Sequence, residues 1–410
     1  MRLAVFASHP IQYQAPIWRN LAKKKDLDLV VHYFSDMSIR GGIDPGFGVP
    51  VAWDQPLLEG YEHVFLSRNA DLNRPLQVTV PHFEAYLRER HFDAAFVNGY
   101  RHGFELQLRR CSRSLDCPLI LRPELSTIEE HGRLRHAARS VFRRWFYAGV
   151  TAFAVIGEQA QRSLLAAGVS PQKMFSSPYG VDSDLFESSD AALDRESCRR
   201  LLGISADQFV LLFSGKLIPQ KNTLLVLKAL EQTPERGHVT FVVMGDGPDR
   251  SRLEEEGNRL LGRNFVLAGF KNQSQLAPYF KAADALVLPS HYESWGLVVN
   301  EAMHFGLPVV VSDTAGCAAD LVENRETGIL FRSNDASDLA QALRRILGND
   351  SLRGMFSRNA RRIIRAYTPD SAANGILEAV EYCSRLKRSP RVYSCRSARA
   401  GVGSRPKEPC

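Results

Sequence analysis

Short apolar stretches alternate with longer stretches of helical period along the first 180 residues. The apolar stretches end at breaks such as Ser8-His9-Pro10. Runs of this length predict buried strands, and their alternation with helices predicts a parallel sheet with helical crossovers. The strands predicted in this half are 3–7, 29–34, 64–66, 94–97, 118–121, 152–156 and 175–177.

The alternation restarts after the run 188–190, whose serines and aspartate have the composition of a linker. We therefore expect an α/β protein of two Rossmann-like parallel-sheet domains, residues 1–180 and 181–384, and a tail at 385–410. The strands predicted in the second half are 209–213, 240–244, 265–267, 285–288, 308–311 and 328–331.

Residues 35–60 interrupt the pattern of the first domain. This segment is rich in glycine and proline and has no clear period, which predicts a turn-rich insertion. A loop of this length in a compact domain is usually functional or mobile.

The stretch 284–311 combines a strand, a loop, a helix and a second strand. Glu293 and Gly296 lie in the loop, and Glu301 lies in the first turns of the helix. Ligands of open parallel sheets bind outside the carboxyl ends of the strands. The N–H groups and the positive dipole end of a helix that begins near Gly296 suit a phosphate, and a glycine lets the backbone approach closely.

Glu293 and Glu301 are poor phosphate ligands, because like charges repel. They are suited to accepting hydrogen bonds from hydroxyl groups, such as those of a ribose or a sugar. A diphosphate flanked by two polyols is a nucleotide sugar. The plainer alternative is that Glu293 is a solvated loop residue and that Glu301 is a first-turn glutamate favoured by the helix dipole.

Two lysines five residues apart follow the first strand of the second domain. Lys216 and Lys221 stand where this strand gives way to a helix, so both can reach a diphosphate at the strand's carboxyl end. Without the carboxylates downstream, two solvated surface lysines would be the simpler interpretation.

These segments together resemble the retaining glycosyltransferases of the GT-B fold (family 4-like). The resemblance covers the C-terminal half, through residues 214–222, 244–248 and 269–270 and the run PSHYESWGLVVNEAMHFGLPVV that begins at residue 289. It implies two domains facing across a cleft, with a last helix, near 378–387, that crosses back onto the N-terminal domain. It also implies a nucleotide-sugar donor, for which uridine is the commonest base in the family.

The resemblance also implies roles for individual residues. Lys216 and Lys221 would neutralise the departing diphosphate, Glu301 would accept from the ribose and Glu293 from the transferred sugar. Lys216 stands where the family usually has arginine, so it supplies a point charge without bidentate geometry. The lysines make a metal unnecessary, and we expect no metal or other cofactor. The further donor-binding candidates are Gly215, Phe270, Ser294, Gly296 and Leu297.

The N-terminal half departs from the family pattern. The segment that contains His9 stands where the family usually has a Gly-Gly pair after the first strand. Asn98 stands where the family usually has a histidine after the fourth strand, and His102 follows four residues on. These three residues and Glu124 follow predicted strands on the rim of the expected cleft. Each alone favours a structural role, and their convergence makes them acceptor-side candidates.

Composition excludes several classes of protein. The net charge of +7 resides in the tail at 385–410, which holds eight Lys or Arg and a single acid, so the body is neutral and no nucleic-acid partner is expected. The tail's composition predicts disorder. Seven scattered cysteines show no zinc spacing, and no run is apolar enough to span a membrane. The start reads as a strand and not as a signal peptide, so we expect a cytoplasmic chain.

The segment 133–147 has three arginines at helical spacing and no acid. Basic amphipathic helices of this kind can lie on anionic membranes, which would suit a lipid-linked acceptor and a peripheral location on the inner face. The favoured alternative is a domain helix whose apolar stripe packs on the sheet. That stripe consists of Leu134, Ala138, Val141, Phe142 and Trp145.

The residues and this resemblance together imply a retaining hexosyltransferase that acts on a glycan or lipid-linked acceptor, in polysaccharide, glycolipid or glycoconjugate synthesis. One alternative is a GT-B sugar-nucleotide epimerase, for which the sequence offers no clear pair of cleft acids or bases. The other is a catalytically silent sugar-binding subunit, against which the intact lysines and glutamates argue.

Overall fold

The computed structural model describes residues 1–44, 46–124, 133–182, 194–323 and 325–388. The linker 183–193 and the tail from residue 389 lie outside this part, and the predicted domain boundary near residue 180 stays a prediction.

The N-terminal domain contains a parallel sheet of seven strands, in the order β5-β2-β1-β6-β7-β8-β9. All seven predicted strands occur, and all six neighbouring pairs are parallel. The strands are β1 Arg2–Ala7, β2 Asp28–Tyr33, β5 Glu62–Phe65, β6 Ala94–Asn98, β7 Leu119–Arg122, β8 Ala152–Val155 and β9 Met174–Ser176, and a separate pair is β3 Gly42–Ile43 and β4 Pro50–Val51.

The C-terminal domain contains a second parallel sheet, of six strands in the order β12-β11-β10-β13-β14-β15. The two sheets confirm the predicted α/β architecture. Strands such as Ala285–Leu288 are buried along their whole length, because helices cover both faces of the sheet. The strands are β10 Phe209–Ser214, β11 Val239–Met244, β12 Phe265–Gly269, β13 Ala285–Leu288, β14 Val309–Ser312 and β15 Gly328–Phe331.

Helices connect the strands of both sheets. In the first domain they are α1 Ala15–Ala22, α2 Met37–Arg40, α3 Phe83–Arg90, α4 Gly103–Ser114, α5 Arg133–Tyr147 and α6 Glu158–Ala166. In the second they are α7 Arg195–Leu201, α8 Leu224–Glu231, α9 Arg250–Leu261, α10 Ala277–Ala282, α11 Leu297–His304, α12 Ala336–Leu347, α13 Asp350–Ile364 and α14 Pro369–Arg388. Among the described residues, no helix combines the length and the apolar character needed to cross a bilayer.

The last helix, α14, packs on the N-terminal domain. Its residues Ala372, Ile376 and Val380 belong to the same buried cluster as the first strand. The helix reaches Arg388, past the predicted domain end at residue 384. The two chain segments that connect the domains touch at Gly180 and Thr368. A Cβ on Gly180 would lie 2.3 Å from the carbonyl carbon of Thr368. The two connections therefore meet at this point.

Part of the predicted insertion forms a strap (residues 42–54, described except for residue 45) that crosses to the C-terminal domain. Strands β3 and β4 pair antiparallel within it. Asn272 Nδ2 donates to the Ala52 carbonyl at 2.7 Å, and Ser274 Oγ donates to Asp54 at 2.5 Å. The insertion is thus ordered by contacts with residues more than 200 positions away, which no local period reveals.

Helix α5 packs differently from the favoured prediction. Phe146 and Tyr147 are the buried residues, whereas Val141, Phe142 and Trp145 of the predicted core stripe are 69%, 38% and 44% exposed. Ala138 is also exposed, and the side chains of residues 133–136 lie outside the described set. The prediction that this stripe packs on the sheet is therefore wrong, because the helix turns its neighbouring apolar arc inward.

Candidate active site

A cleft of about 420 Å³ lies between the domains, at the carboxyl ends of strands from both sheets. Segments after β10, β11, β12 and β13 line it from one side, and segments after β1, β7 and β9 line it from the other. Ten of the predicted site residues line this cleft. They are Glu124, Gly215, Lys216, Lys221, Phe270, Glu293, Ser294, Gly296, Leu297 and Glu301.

Helix α11 begins at the floor of the cleft with Gly296 as its N-cap. Gly296 has φ +98°, and a Cβ there would lie 2.8 Å from the Leu288 side chain. A side chain at this position would therefore be strained and crowded. The first residues of the helix line the cleft, and the positively polarised end of a helix suits an anion.

Both lysines are paired with carboxylates. Lys221 Nζ donates to Glu293, and Lys216 Nζ donates to Asp44 of the strap at 2.7 Å. Burial raises the pKa of Asp44, but the hydrogen bond and charge of Lys216 outweigh it, so the pKa is lowered on balance. The strap also passes directly over Lys216, because a Cβ on Gly46 would lie 2.5 Å from its Cδ.

Glu301 is only partly exposed at the cleft. Burial raises its pKa to about 7, while a hydrogen bond from Gln273 acts in the opposite direction. A carboxylate in this position gains from further donors, since they would stabilise its charged form. A pair of vicinal hydroxyl groups supplies such donors.

A hydrogen-bonded chain joins the two walls of the cleft. Tyr179 donates to Glu124 at 2.9 Å, and its carbonyl accepts from Asn300 of helix α11 at 2.9 Å. Asn300 in turn accepts from the Trp295 indole at 2.8 Å. The segment after β9 is thereby hydrogen-bonded to the helix that carries Glu301.

Glu124 and Glu293 line the same cleft. Each has a partner, Tyr179 for Glu124 and Lys221 for Glu293. Neither is therefore an unpaired base in this arrangement.

The other three acceptor-side candidates do not line the cleft. His9 lies close enough to Lys216 to feel its charge, and burial lowers its pKa to about 4, with His102 acting in the same direction. His102 Nδ1 lies 3.2 Å from buried Glu105, in a capping box of helix α4. Asn98 has a buried side-chain amide with no partner among the described residues.

Sequence reasoning missed the strap's part in the site. Asp44 pairs with Lys216, and Phe47 and Trp53 line the cleft. The available signal was the length of the insertion, which pointed to function without indicating which side chains matter. Within the described ranges, His, Cys, Asp and Glu side chains form no group of three or more that could hold a metal ion.

The sequence of the C-terminal domain matches a known family. Residues 194–363 match the sequence model of glycosyl transferases group 1. The C-terminal domain belongs to this family. The D-inositol 3-phosphate glycosyltransferase of Thermomonospora curvata is 30% identical over 234 residues, 54% of this chain and 54% of that protein. The corresponding protein of Actinosynnema mirum is 34% identical over 221 residues, 51% and 52% of the two chains. The chain thus spans about half the length of the curated relatives it matches.

Solved structures resemble the group 1 domain together with the N-terminal domain. Anabaena HepE in complex with UDP has a TM-score of 0.70 at 19% identity, covering 93% of this chain and 100% of that chain. Sucrose-phosphate synthase from Thermosynechococcus elongatus has a TM-score of 0.69 at 18% identity, covering 94% and 100%. These similarities confirm the predicted GT-B fold for both domains.

Replacing Asp44 with asparagine is expected to tighten the binding of UDP and of inorganic pyrophosphate by up to about fivefold, the range of a partly exposed ion pair. The Asp44 carboxylate competes with any diphosphate for Lys216, and asparagine removes that charge. Isothermal titration calorimetry would measure both affinities. Asp71→Asn is the control, because this exposed acid of the same domain pairs with Arg74 and does not line the cleft. Weaker binding of UDP and pyrophosphate by Asp44→Asn would contradict this competition for Lys216.

Proposed function

We propose that this chain is a retaining glycosyltransferase that moves a sugar, with a hexose expected, from a nucleotide donor to an acceptor hydroxyl. A UDP-sugar is the favoured donor, and the product would belong to polysaccharide, glycolipid or glycoconjugate synthesis. The observation that carries the proposal is the convergence of Lys216, Lys221, Glu293 and Glu301 on one cleft at the N-terminus of helix α11. The group 1 match of residues 194–363 supports it.

The donor would lie along the C-terminal wall. Glu301 would accept from the ribose hydroxyls, and the N–H groups at Gly296 and Leu297 would meet the diphosphate together with Lys216 and Lys221. Glu293 would accept from the transferred sugar while its contact with Lys221 holds both side chains in place. Acceptor contacts would come from the opposite wall, where Glu124 is fixed by Tyr179.

Catalysis would rest on charge stabilisation. Negative charge grows on the diphosphate as its bond to the sugar breaks, and prearranged lysines and helix N–H groups stabilise that charge without reorganisation. Closure of the two domains would exclude water, so that the acceptor hydroxyl and not water takes the sugar.

A panel of nucleotide sugars, incubated with and without an acceptor extract, tests the proposal. We expect nucleotide release that depends on one donor and increases with acceptor, and a product whose anomeric configuration, read by NMR, equals that of the donor. Conversion of the nucleotide sugar without nucleotide release would instead indicate an epimerase. Binding of nucleotide sugar without turnover would indicate a silent subunit.

A peripheral membrane contact through helix α5 belongs to the same proposal. Val141, Phe142 and Trp145 are exposed on a helix without an acid, next to exposed Arg139 and Arg144. Apolar side chains rimmed by arginines suit an anionic bilayer and hence a lipid-linked acceptor.

Replacing Arg139 and Arg144 with glutamine is expected to weaken sedimentation with anionic vesicles by about 30-fold, at about 1 kcal/mol for each arginine. Replacing Val141 and Phe142 with serine should weaken vesicle binding even at high salt, because salt does not screen the apolar contribution to binding. All variants should end at residue 388, since the basic tail would otherwise add its own attraction. Leu201→Ser, which alters an equally exposed leucine of the other domain, is the control. Equal binding by parent and variants, or none by the parent, would make the helix purely structural.

A further inference from the structure

The strap brings two aromatic side chains from the N-terminal domain against the donor wall. The Phe47 ring lies 4.9 Å from the Phe270 ring at an interplanar angle of 72°. Trp53 lies 6.1 Å from the same ring at 60°. All three side chains line the cleft and are only partly buried, so each presents an aromatic surface that the protein does not cover.

Hydrogen bonds on both sides of the cleft hold this cluster in place. The Asp44 carboxylate accepts from the Phe47 N–H at 3.0 Å and from the Gly46 N–H at 2.7 Å, which fixes the hairpin tip. Next to Trp53, the Ala52 carbonyl and the Asp54 carboxylate accept from Asn272 and Ser274, just beyond Phe270. The rings are therefore preorganised, and ordering them on binding costs little.

The cluster lies near both groups that would hold a nucleoside diphosphate. Lys216 Nζ lies 5.0 Å from the centre of the Phe47 ring, which places Phe47 beside the proposed phosphate site. Gln273, the hydrogen-bond partner of Glu301, belongs to the segment that binds the strap. A nucleobase is joined to the ribose carbon next to the one that bears the 2′-hydroxyl. A ribose held by Glu301 would therefore carry its base into the surroundings of Gln273 and Phe270.

We propose that Phe47 and Trp53 of the strap, together with Phe270, form an aromatic clamp that takes the nucleobase of the donor. The clamp rests on the proposed function and adds to it a contribution of the N-terminal domain to donor binding. Aromatic side chains stack on any base, because every base has a π-face. The clamp therefore raises affinity for a nucleoside diphosphate over a bare diphosphate, while the choice among bases falls to polar groups around it.

Calorimetry on the full chain with UDP, ADP, GDP and inorganic pyrophosphate tests the clamp. Phe47→Ala and Trp53→Ala are expected to weaken the preferred nucleoside diphosphate by about 5- to 150-fold, the range of one lost stacking contact, and to leave pyrophosphate affinity unchanged. Phe47→Tyr and Trp53→Phe keep an aromatic face and should retain most of the affinity. They also serve as folding controls, because Trp53 packs in part against the N-terminal core and its loss in Trp53→Ala could disturb the fold.

The ratio of the affinity for a nucleoside diphosphate to the affinity for pyrophosphate separates the outcomes. If the alanine variants lose UDP and pyrophosphate affinity equally, the strap only shapes the surroundings of Lys216 and the clamp is wrong. If the wild type prefers a nucleoside diphosphate but the alanine variants keep that preference, the base binds elsewhere and the clamp is again wrong. If the wild type binds no nucleoside diphosphate better than pyrophosphate, the proposed function itself fails, and the clamp fails with it.

Discussion

Replacing Lys216 with alanine is expected to lower kcat by about 100- to 1,000-fold, the usual effect of removing one group that stabilises charge in the transition state. The Michaelis constant should change much less, because the charge that Lys216 meets grows as the diphosphate departs. Steady-state nucleotide release with the donor identified by the panel measures both constants. Lys216→Arg keeps the positive charge and should retain most of the activity.

The pairing of Lys216 with Asp44 calls for one further variant. In Lys216→Ala the Asp44 carboxylate loses its cation and could itself repel the diphosphate. The double variant Lys216→Ala/Asp44→Asn removes that repulsion. We expect kcat to stay low in the double variant. Recovery of kcat there, or a rise in the Michaelis constant with normal kcat in the single variant, would contradict the role of Lys216 on the leaving group.

Replacing Glu301 with glutamine is expected to weaken UDP binding by about 10- to 150-fold, since a hydrogen bond to a charged group is worth about 1.5–3 kcal/mol. The effect should depend on pH, because the Glu301 pKa is about 7 and the ionised form is the better acceptor. Wild-type affinity should therefore fall as the pH decreases from 8 to 6. The same titration of Glu301→Gln gives the pH dependence of affinity that comes from the phosphates of UDP alone. Parallel pH profiles for the two proteins would contradict the assignment to the ribose.

Thermal unfolding supplies the folding control for this variant. The folded pKa of Glu301, about 7, lies above the ordinary value of 4.5. The carboxyl group therefore contributes stability below pH 4.5 that is lost as the pH rises through 7. Glutamine carries no charge to desolvate, so the variant should be at least as stable as the wild type at pH 8. A lower Tm at pH 8 would show that Glu301 also supports the fold.

The C-terminal wall of the cleft was largely predictable from the sequence. Short apolar runs such as 285–288 that alternate with helical stretches predict buried strands between helices, and parallel strands bring their carboxyl ends to one edge. Lys216, Lys221 and Glu293 follow such strands within a few residues, and Glu301 lies on the helix that comes next. Their convergence therefore depends on local sequence and on the topology that the strand–helix alternation dictates. The roles given to them remain predictions that the variants above test.

The opposite wall depended on contacts between distant parts of the chain. Asp44, Phe47 and Trp53 reach the site because the strap is fastened to residues 272–274 of the other domain, and neither segment has a pattern that specifies the other. For the same reason, the helical period of residues 133–147 predicted the helix but not which of its apolar arcs the protein covers. Local periodicity fixes the elements and the face that each can bury, whereas only the packing of the two domains decides which faces are covered and which side chains meet across the cleft.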